Sequence, residues 1–387
     1  MQLEKRFRGW RRGVMALLLT ALAAGVGAGD DRDDRKDWSS DWSAVFTLTN
    51  DPSGNELAVF RLDNKGRMSK PVLLPTGGDG TGGGLGNQGA LAMSEDKNFL
   101  YAVNPGSGTI TVFRLTRNGP QVLQTIDAGG KRPISIALRR NLLYVLNADG
   151  SVSNTDVDGI AGFVVRANGR LRPLAGSVAH LSARTTGPAQ IAFSPSGDAL
   201  IVTEKNTNTL TAFSLNKGVP AETAFEPSAG KTPFGFEFSP DGFLIVSEAQ
   251  MGVAGAGTVS SYGFDDDDGT FEILSAAVPT KQSAPCWIAV TENGEYAYTT
   301  NTASNSVTGY KIGRKGKLTR LDDGGVTAET GAAPTDMTYI GNSVLFVLNR
   351  NDGSVGSYTI KKGGALHALE VVGGLDGKFF PSGLVVR

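Results

Sequence analysis

The residues best suited to chemistry are seven polar residues, each of which ends a short apolar run. In chain order they are Asn50, Asn104, Asn147, Glu204, Glu248, Asn301 and Asn349. Two successive members are glutamates, and paired carboxylates can share a proton, act as a general base or hold a cation. We therefore expect Glu204 and Glu248 to be catalytic, and four of the asparagines (all but Asn50) to contact the substrate. The alternative is that all seven only cap strand ends and bind loop amides.

Three further candidates lie close to Glu204 in the sequence. His180 and Arg184 precede it, and Lys205 follows it directly. Opening a lactone ring requires a group that activates water and a cation or donor that stabilises the developing oxyanion. His180 could activate water, while Arg184 and Lys205 could hold the oxyanion or a substrate carboxylate. The alternative is a partly exposed loop histidine and a solvated arginine.

The composition limits the kinds of site that the chain can form. With 1 Cys and 2 His among 387 residues, an intrachain disulfide and a cysteine-cluster or histidine-rich metal site are excluded. Cys286 has only Lys281 as a nearby basic residue, which favours a buried and inert thiol. The formal net charge of −1 provides no basic footprint for nucleic acid.

The elements that position these residues recur along the chain. Each polar residue is followed by a strand-like run centred on an aromatic residue. These aromatic residues are Phe60, Phe113, Phe163, Phe213, Tyr262, Tyr310 and Tyr358. They are 53, 50, 50, 49, 48 and 48 residues apart, and the 52 glycines supply many tight turns. Seven β-rich units of about 50 residues predict an all-β fold, a seven-bladed β-propeller.

The end of the chain predicts how the ring of blades closes. Most units begin with a small apolar run opened by proline, as at Pro188 and Pro233, but the first unit lacks one. The chain ends with Pro381-Ser-Gly-Leu-Val-Val386, which fits the missing pattern. We expect this C-terminal strand to pair with the N-terminal strand and complete the first blade, which would remove exposed strand edges.

A glycine-rich segment at residues 77–86 (GGDGTGGGLG) resembles a phosphate-binding loop only superficially. It lacks the Lys-Ser/Thr pair of such loops, and no helical pattern follows it. We interpret it instead as a mobile loop over the axial mouth, the opening where the loops after the polar residues surround the propeller axis.

The repeats resemble YVTN-type repeats and, over nearly all of residues 43–387, the seven-bladed lactonase family. The matching segments are Asn98–Asn104, Gly169–Leu171, Ser194–Asp198 and Ser239–Gly242. The family includes propeller-type bacterial 6-phosphogluconolactonase and fungal carboxymuconate cyclase, so the resemblance implies chemistry on a lactone. Relatives of the first kind usually carry a histidine after the proline that opens a central inner strand. Here that stretch reads Pro188-Ala-Gln-Ile, while the acidic strand end is retained as Glu204.

These observations predict a lactonase-like protein that hydrolyses or isomerises a small lactone or organic acid at the axial mouth. No cofactor is expected, although a divalent cation could bind at the mouth. The alternative is a non-catalytic ligand- or protein-binding scaffold of the cell envelope, with an envelope protein as partner. We expect a monomer that binds neither nucleic acid nor, after processing, a membrane.

The N-terminus has the pattern of a secretory signal. Basic residues precede the apolar run from Val14 to Ala24, and small residues surround Ala28. We predict a signal peptide at residues 1–28, a charged linker at 29–42 and the propeller at 43–387. The protein would then be periplasmic or extracellular.

Overall fold

The structure is a computed structural model that describes residues 42–151, 156–266 and 268–387. The predicted signal peptide and all of the predicted linker except Trp42 lie outside the described residues. Apart from strands, these described residues form four short 3₁₀ turns. They are Asp149–Ser151, Gln250–Gly252, Arg314–Gly316 and Gly377–Phe379. Within the described ranges, no helix has the length and apolar content needed to span a membrane.

The strands form seven antiparallel sheets, which we number as blades in chain order. Blade 1 contains β1 (Ser43–Leu48), β2 (Glu56–Leu62), β3 (Val72–Pro75) and the last strand of the chain, β30 (Ser382–Val386). Blade 2 contains β4 (Leu91–Met93), β5 (Phe99–Asn104), β6 (Thr109–Thr116) and β7 (Gly119–Asp127). Blade 3 contains β8 (Pro133–Arg139), β9 (Leu142–Asn147), β10 (Gly159–Val165), β11 (Leu171–Pro173) and β12 (Ala179–His180).

The remaining four blades follow the same order. Blade 4 contains β13 (Pro188–Phe193), β14 (Ala199–Glu204), β15 (Thr209–Asn216) and β16 (Val219–Pro227). Blade 5 contains β17 (Pro233–Phe238), β18 (Leu244–Glu248), β19 (Thr258–Phe264) and β20 (Phe271–Pro279). Blade 6 contains β21 (Pro285–Val290), β22 (Tyr296–Asn301), β23 (Ser306–Ile312), β24 (Leu318–Arg320) and β25 (Ala328–Glu329). Blade 7 contains β26 (Pro334–Ile340), β27 (Val344–Asn349), β28 (Ser354–Ile360) and β29 (Leu366–Gly373).

The first strands of the blades surround a common axis. Each contacts the first strand of the next blade, and the series closes on itself. The cyclic order is β30, β4, β8, β13, β17, β21 and β26. The fold is therefore the predicted seven-bladed propeller.

The core lies between the blades, where the repeated aromatic residues pack. All seven of them, from Phe60 to Tyr358, are at most 2% exposed. The second strands are buried along nearly their whole length, as in β14, whereas the outer strand β16 alternates exposed and half-buried residues. Burial of one large ring for each blade accounts for the periodicity of the sequence, because aromatic side chains bury the largest apolar areas.

The C-terminal strand completes blade 1. In β30, Val386 and Val385 pair antiparallel with Val45 and Phe46 of β1. Trp42 is 7% exposed, so the packed fold extends one residue beyond the predicted start at 43.

The strand register determines which loops share a face. In blade 4, Pro188 at the start of β13 pairs with Glu204 at the end of β14, and Glu204 pairs with Thr209 at the start of β15. The loops after the second strands and the connections between blades therefore open on one face. We call it the upper face, and it contains the axial mouth.

Candidate functional site

The seven polar strand ends are buried and hydrogen bonded rather than open to the mouth. None of them is more than 3% exposed. Asn104 donates from its amide to the hydroxyl of Thr111 over 2.9 Å, and Asn301 donates to Thr308 over the same distance. In both blades the amide connects the end of the second strand to the third strand. This arrangement matches the capping role that the sequence left open.

The two glutamates have separate environments. Glu204 accepts hydrogen bonds from the backbone amide and hydroxyl of Ser182 and from the hydroxyls of Thr207 (2.7 Å) and Thr211 (2.5 Å).

Glu248 accepts from the amide of Gly230 at 3.0 Å and the hydroxyl of Thr258 at 2.5 Å. Burial raises the pKa of Glu248. Among the described residues no partner is shared between the two carboxylates, so each is held within its own blade and the connection leading to it.

His180 lies on the outer side of its blade, and Arg184 lies in the connection that leads to blade 4. His180 is exposed in β12, where it pairs with Gly159 at the outer side of blade 3. Arg184 is also exposed, and its carbonyl accepts a hydrogen bond from the amide of Asp158 at 3.0 Å. The structure therefore does not bring His180 together with Lys205, the third of these candidates.

Lys205 lies at the axial mouth, because its ammonium contacts the first strands of blades 4 and 5 and the glycine-rich segment. Its Nζ donates to the carbonyl of Pro188 over 2.9 Å and to that of Gly86. The nitrogen also lies 4.8 Å from the ring centroid of Phe234, a cation–π distance. Burial lowers the pKa of Lys205 to about 8.

Arg350 is a second cation at the mouth, and the sequence analysis missed it. Its guanidinium lies 4.9 Å from the ring centroid of Phe380, and burial lowers its pKa. Its Nε is buried without a hydrogen-bond partner among the described atoms. Arg350 follows Asn349 as Lys205 follows Glu204. Successive side chains of a strand point to opposite sides, so this position was a signal that could have identified it.

The glycine-rich segment 77–86 lies across the mouth, as expected. The amide of Asn50 donates to the carbonyl of Gly83 over 2.9 Å, and the side-chain oxygen of Asn50 accepts from the amide of Thr81. A Cβ atom on Gly80 would lie 2.1 Å from the backbone of Asn50, so only glycine allows this approach.

The two cations meet this loop two residues apart. Lys205 bonds the carbonyl of Gly86, and a Cβ atom on Gly84 would lie 3.4 Å from Nη1 of Arg350. Any ligand that contacts both cations must therefore share the mouth with residues 84–86.

The residues that follow the loop close the axis beneath the mouth. The side-chain amide of Gln88 donates to the carbonyl of Ile288 over 2.9 Å and accepts from its backbone amide at 3.0 Å. Gln88 precedes β4 of blade 2 and Ile288 lies in β21 of blade 6, so these bonds cross the axis. The side chain of Gln88 therefore links blades 2 and 6 at the axis.

The side of the mouth near Lys205 is aromatic. Phe234 packs against Trp287 with a centroid distance of 5.0 Å. Cys286 beside it is 6% exposed, and burial raises the pKa of its thiol to about 11, as expected for an inert cysteine. Over the described residues, no group of three His, Cys, Asp or Glu side chains is arranged to hold a metal ion.

Comparison with known proteins agrees with this architecture. The family model described as Lactonase, 7-bladed beta-propeller matches residues 53–158, 159–253 and 246–338. These segments cover most of the chain, which therefore belongs to the seven-bladed propeller lactonase family. No curated protein matches the chain significantly.

Solved structures of several proteins share the fold. The periplasmic gluconolactonase PpgL of Pseudomonas aeruginosa is 18% identical, with a TM-score of 0.71 over 89% of this chain and 99% of that one. A candidate 6-phosphogluconolactonase from Bacteroides uniformis is 18% identical, with a TM-score of 0.69 over 90% and 100%. A hypothetical selenium-binding protein from Sulfolobus tokodaii is 11% identical, with a TM-score of 0.61 over 90% and 93%. At these identities the similarity concerns the fold alone.

Proposed function

We propose that this protein binds a small, negatively charged lactone or organic acid at the axial mouth and hydrolyses or isomerises it. The observation that carries the proposal is the pair of cations at the mouth. Lys205 and Arg350 approach the same loop from blades 4 and 7, and neither forms an ion pair with any described carboxylate. Unpaired cations beside aromatic walls attract a carboxylate and stabilise an oxyanion.

The general base in this proposal is Glu204, which directly precedes Lys205. Its carboxylate points into its own turn beneath four hydrogen bonds from three residues, so it would act on a ligand at the mouth only after water replaces one of the hydroxyl donors. Membership of the lactonase family and the fold of PpgL support lactone chemistry as the reaction class.

The experiment compares a lactone that carries a carboxylate with its methyl ester, with proton release as the measure of hydrolysis. Lys205→Met and Arg350→Met should each raise KM for the charged lactone by about 10- to 100-fold, because a hydrogen bond to a charged group contributes about 1.5–3 kcal/mol. The KM for the methyl ester should rise much less.

The matched controls are Lys217→Met and Arg314→Met, which remove exposed cations far from the mouth in the fold. These two variants should have the wild-type KM for both substrates. Absence of turnover for every lactone tested, or equal effects of mouth and control variants, would overturn the proposal.

A second candidate function is ligand binding without catalysis. It is favoured by the strand-end side chains, all of which are buried. In this case calorimetry should show binding of the hydroxy acid, with weaker binding to Lys205→Met than to wild type. The corresponding lactone should not be hydrolysed when it is incubated with the protein.

We further propose that the protein is exported. The support is the signal-like pattern of residues 1–28. Amino-terminal sequencing of protein from fractionated cells should find a chain that begins at Gly29 outside the cytoplasm. A cytoplasmic chain that begins at Met1 would contradict export.

A further inference from the structure

The ammonium group of Lys205 has an unusual environment for a lysine. Its neighbours are two backbone carbonyls, from Gly86 and Pro188, and the face of Phe234. Among the described residues no carboxylate lies within ion-pair distance of it. The half-buried lysine therefore lacks the counter-ion that normally accompanies a charge withdrawn from water.

Burial favours the neutral form of the amine, although the two carbonyls and the ring face favour the ammonium. Desolvation has the largest effect on its pKa, and Arg132 lowers that pKa further. Cys286 and Asp158 act in the opposite direction, but the result is still a pKa of about 8. A lysine amine that loses its proton near neutral pH is a nucleophile, and Schiff-base lysines depend on such a lowered pKa.

We propose that Lys205 is a carbonyl-reactive lysine that captures an aldehyde or a 2-oxo acid as an imine at the axial mouth. The amine nitrogen attacks the carbonyl carbon, and the carbonyl oxygen takes up the proton that the nitrogen loses. The resulting carbinolamine loses this hydroxyl together with the second proton of the nitrogen as water and leaves a carbon–nitrogen double bond, so no oxidant or reductant is needed.

Arg350 explains why an oxo acid fits better than a simple aldehyde. Its guanidinium lies beside Gly84, two residues before the carbonyl that Lys205 bonds, and has a buried Nε without a hydrogen-bond partner among the described atoms. A carboxylate on Arg350 would direct the adjacent carbonyl carbon toward Lys205. Entry requires that the hydrogen bond between Lys205 and Gly86 open, which frees the amine at the same time.

This inference goes beyond the proposed lactone chemistry and does not depend on it. Imine formation consumes no lactone and can be trapped whether or not the protein hydrolyses one. If the imine is trapped but no lactone is hydrolysed, only the proposed hydrolysis is refuted. If a lactone is hydrolysed but no imine is trapped, only the proposed imine is refuted.

The test incubates the full-length protein with glyoxylate and sodium cyanoborohydride at pH 8, followed by peptide mapping. Reduction of the imine leaves a carboxymethyl group on the modified lysine. At this pH the neutral fraction of Lys205 exceeds that of an ordinary lysine by about 100-fold. We therefore expect Lys205 to be modified at least about tenfold faster than the exposed Lys217 in the same sample.

Two comparisons sharpen the result. Propionaldehyde, which lacks a carboxylate, should react more slowly than glyoxylate at Lys205, and Arg350→Met should remove that difference. Lys217→Met should leave the modification of Lys205 unchanged. Because the key ratio is measured within the wild-type protein, it does not depend on the folding of a variant. Modification spread evenly over the exposed lysines, with none enriched at Lys205, would overturn the proposal.

Discussion

At the scale of single residues, the buried carboxyl groups connect blades that no backbone ladder joins. Asp336 in β26 accepts a hydrogen bond from the amide of Gly383 in β30 at 2.9 Å, and Glu237 in β17 accepts from Val290 in β21 at 2.7 Å. Burial raises the pKa of both carboxyl groups to about 7. Each group therefore makes the stability of the ring sensitive to pH near neutrality.

Asp336→Asn should remove one source of this pH dependence. The pKa of Asp336 is about 7 in the folded protein against an ordinary 3.8, so the folded state binds the proton more tightly. The stabilisation is fully present below the ordinary value and is lost as the pH rises through 7. Urea denaturation between about pH 4 and pH 8 should show a smaller decline for the variant than for wild type, with most of the difference arising between about pH 4 and pH 7. Asp241→Asn changes an exposed position, and its stability should depend on pH as that of the wild type does.

Glu204→Gln separates a structural role from a catalytic one. The carboxylate only accepts hydrogen bonds, whereas a glutamine amide would place a donor against the donors of Ser182, Thr207 or Thr211. We expect a loss of about 1–3 kcal/mol in the free energy of unfolding. Glu222→Gln, at an exposed position in β16, is the matched control and should change little. Unchanged stability of Glu204→Gln would contradict the capping role.

At the scale of elements, the first strands are held together by side chains that imitate a β ladder. The amide of Gln190 in β13 donates to the carbonyl of Phe236 in β17 over 2.9 Å and accepts from its backbone amide at 2.7 Å. Gln88 makes the same pair of bonds with Ile288 across the axis. These amides satisfy backbone groups that the strands leave free toward the axis.

Gln88→Ala should destabilise the ring although it removes no strand. Two hydrogen bonds are lost, and the amide and carbonyl of Ile288 stay buried, so we expect a loss of about 1–3 kcal/mol in the free energy of unfolding. Chemical denaturation measures it. Gln121→Ala, on the exposed side of β7, should leave the midpoint unchanged. Equal denaturation midpoints for the two variants would mean that the hydrogen bonds of Gln88 contribute nothing to the stability of the fold.

At the scale of the whole molecule, stability depends on closure of the ring by β30. The strand pairs with β1, and the backbone amide of Arg387 donates to the carbonyl of Ala44 over 2.9 Å. Without it, blade 1 loses its first strand and the neighbouring strands β4 and β26 lose a packing surface. Closure therefore affects every blade, not only the one that β30 completes.

Deletion of residues 379–387 should lower the melting temperature of the entire protein in a single transition. A circular permutant that places residues 381–387 before Trp42 through a short turn restores the β30 and β1 pairing and should recover most of the loss. This control is feasible because Arg387 already contacts Trp42, with its guanidinium carbon 4.2 Å from the ring centroid. A deleted protein that melts like wild type would contradict the dependence on closure.

The sequence by itself determined the fold, because the repeat that specifies it is local. An apolar run, a polar end and a buried aromatic such as Phe213 recur within each unit, and the run from Pro381 to Val386 supplies the missing strand. The same local pattern placed Lys205 and the loop at 77–86 near the mouth. These features depend on spacing along the chain, which a sequence shows directly.

Only the tertiary structure decided which residues face the mouth. The sequence cannot show that Glu204 points into its own turn while its neighbour Lys205 reaches the axis, because that depends on the side of the strand that faces the next blade. Nor can it show that Arg350 lies beside Gly84 of the same loop, since the two cations come together only when the ring closes. His180, close to Glu204 in the chain, lies on an outer strand for the same reason.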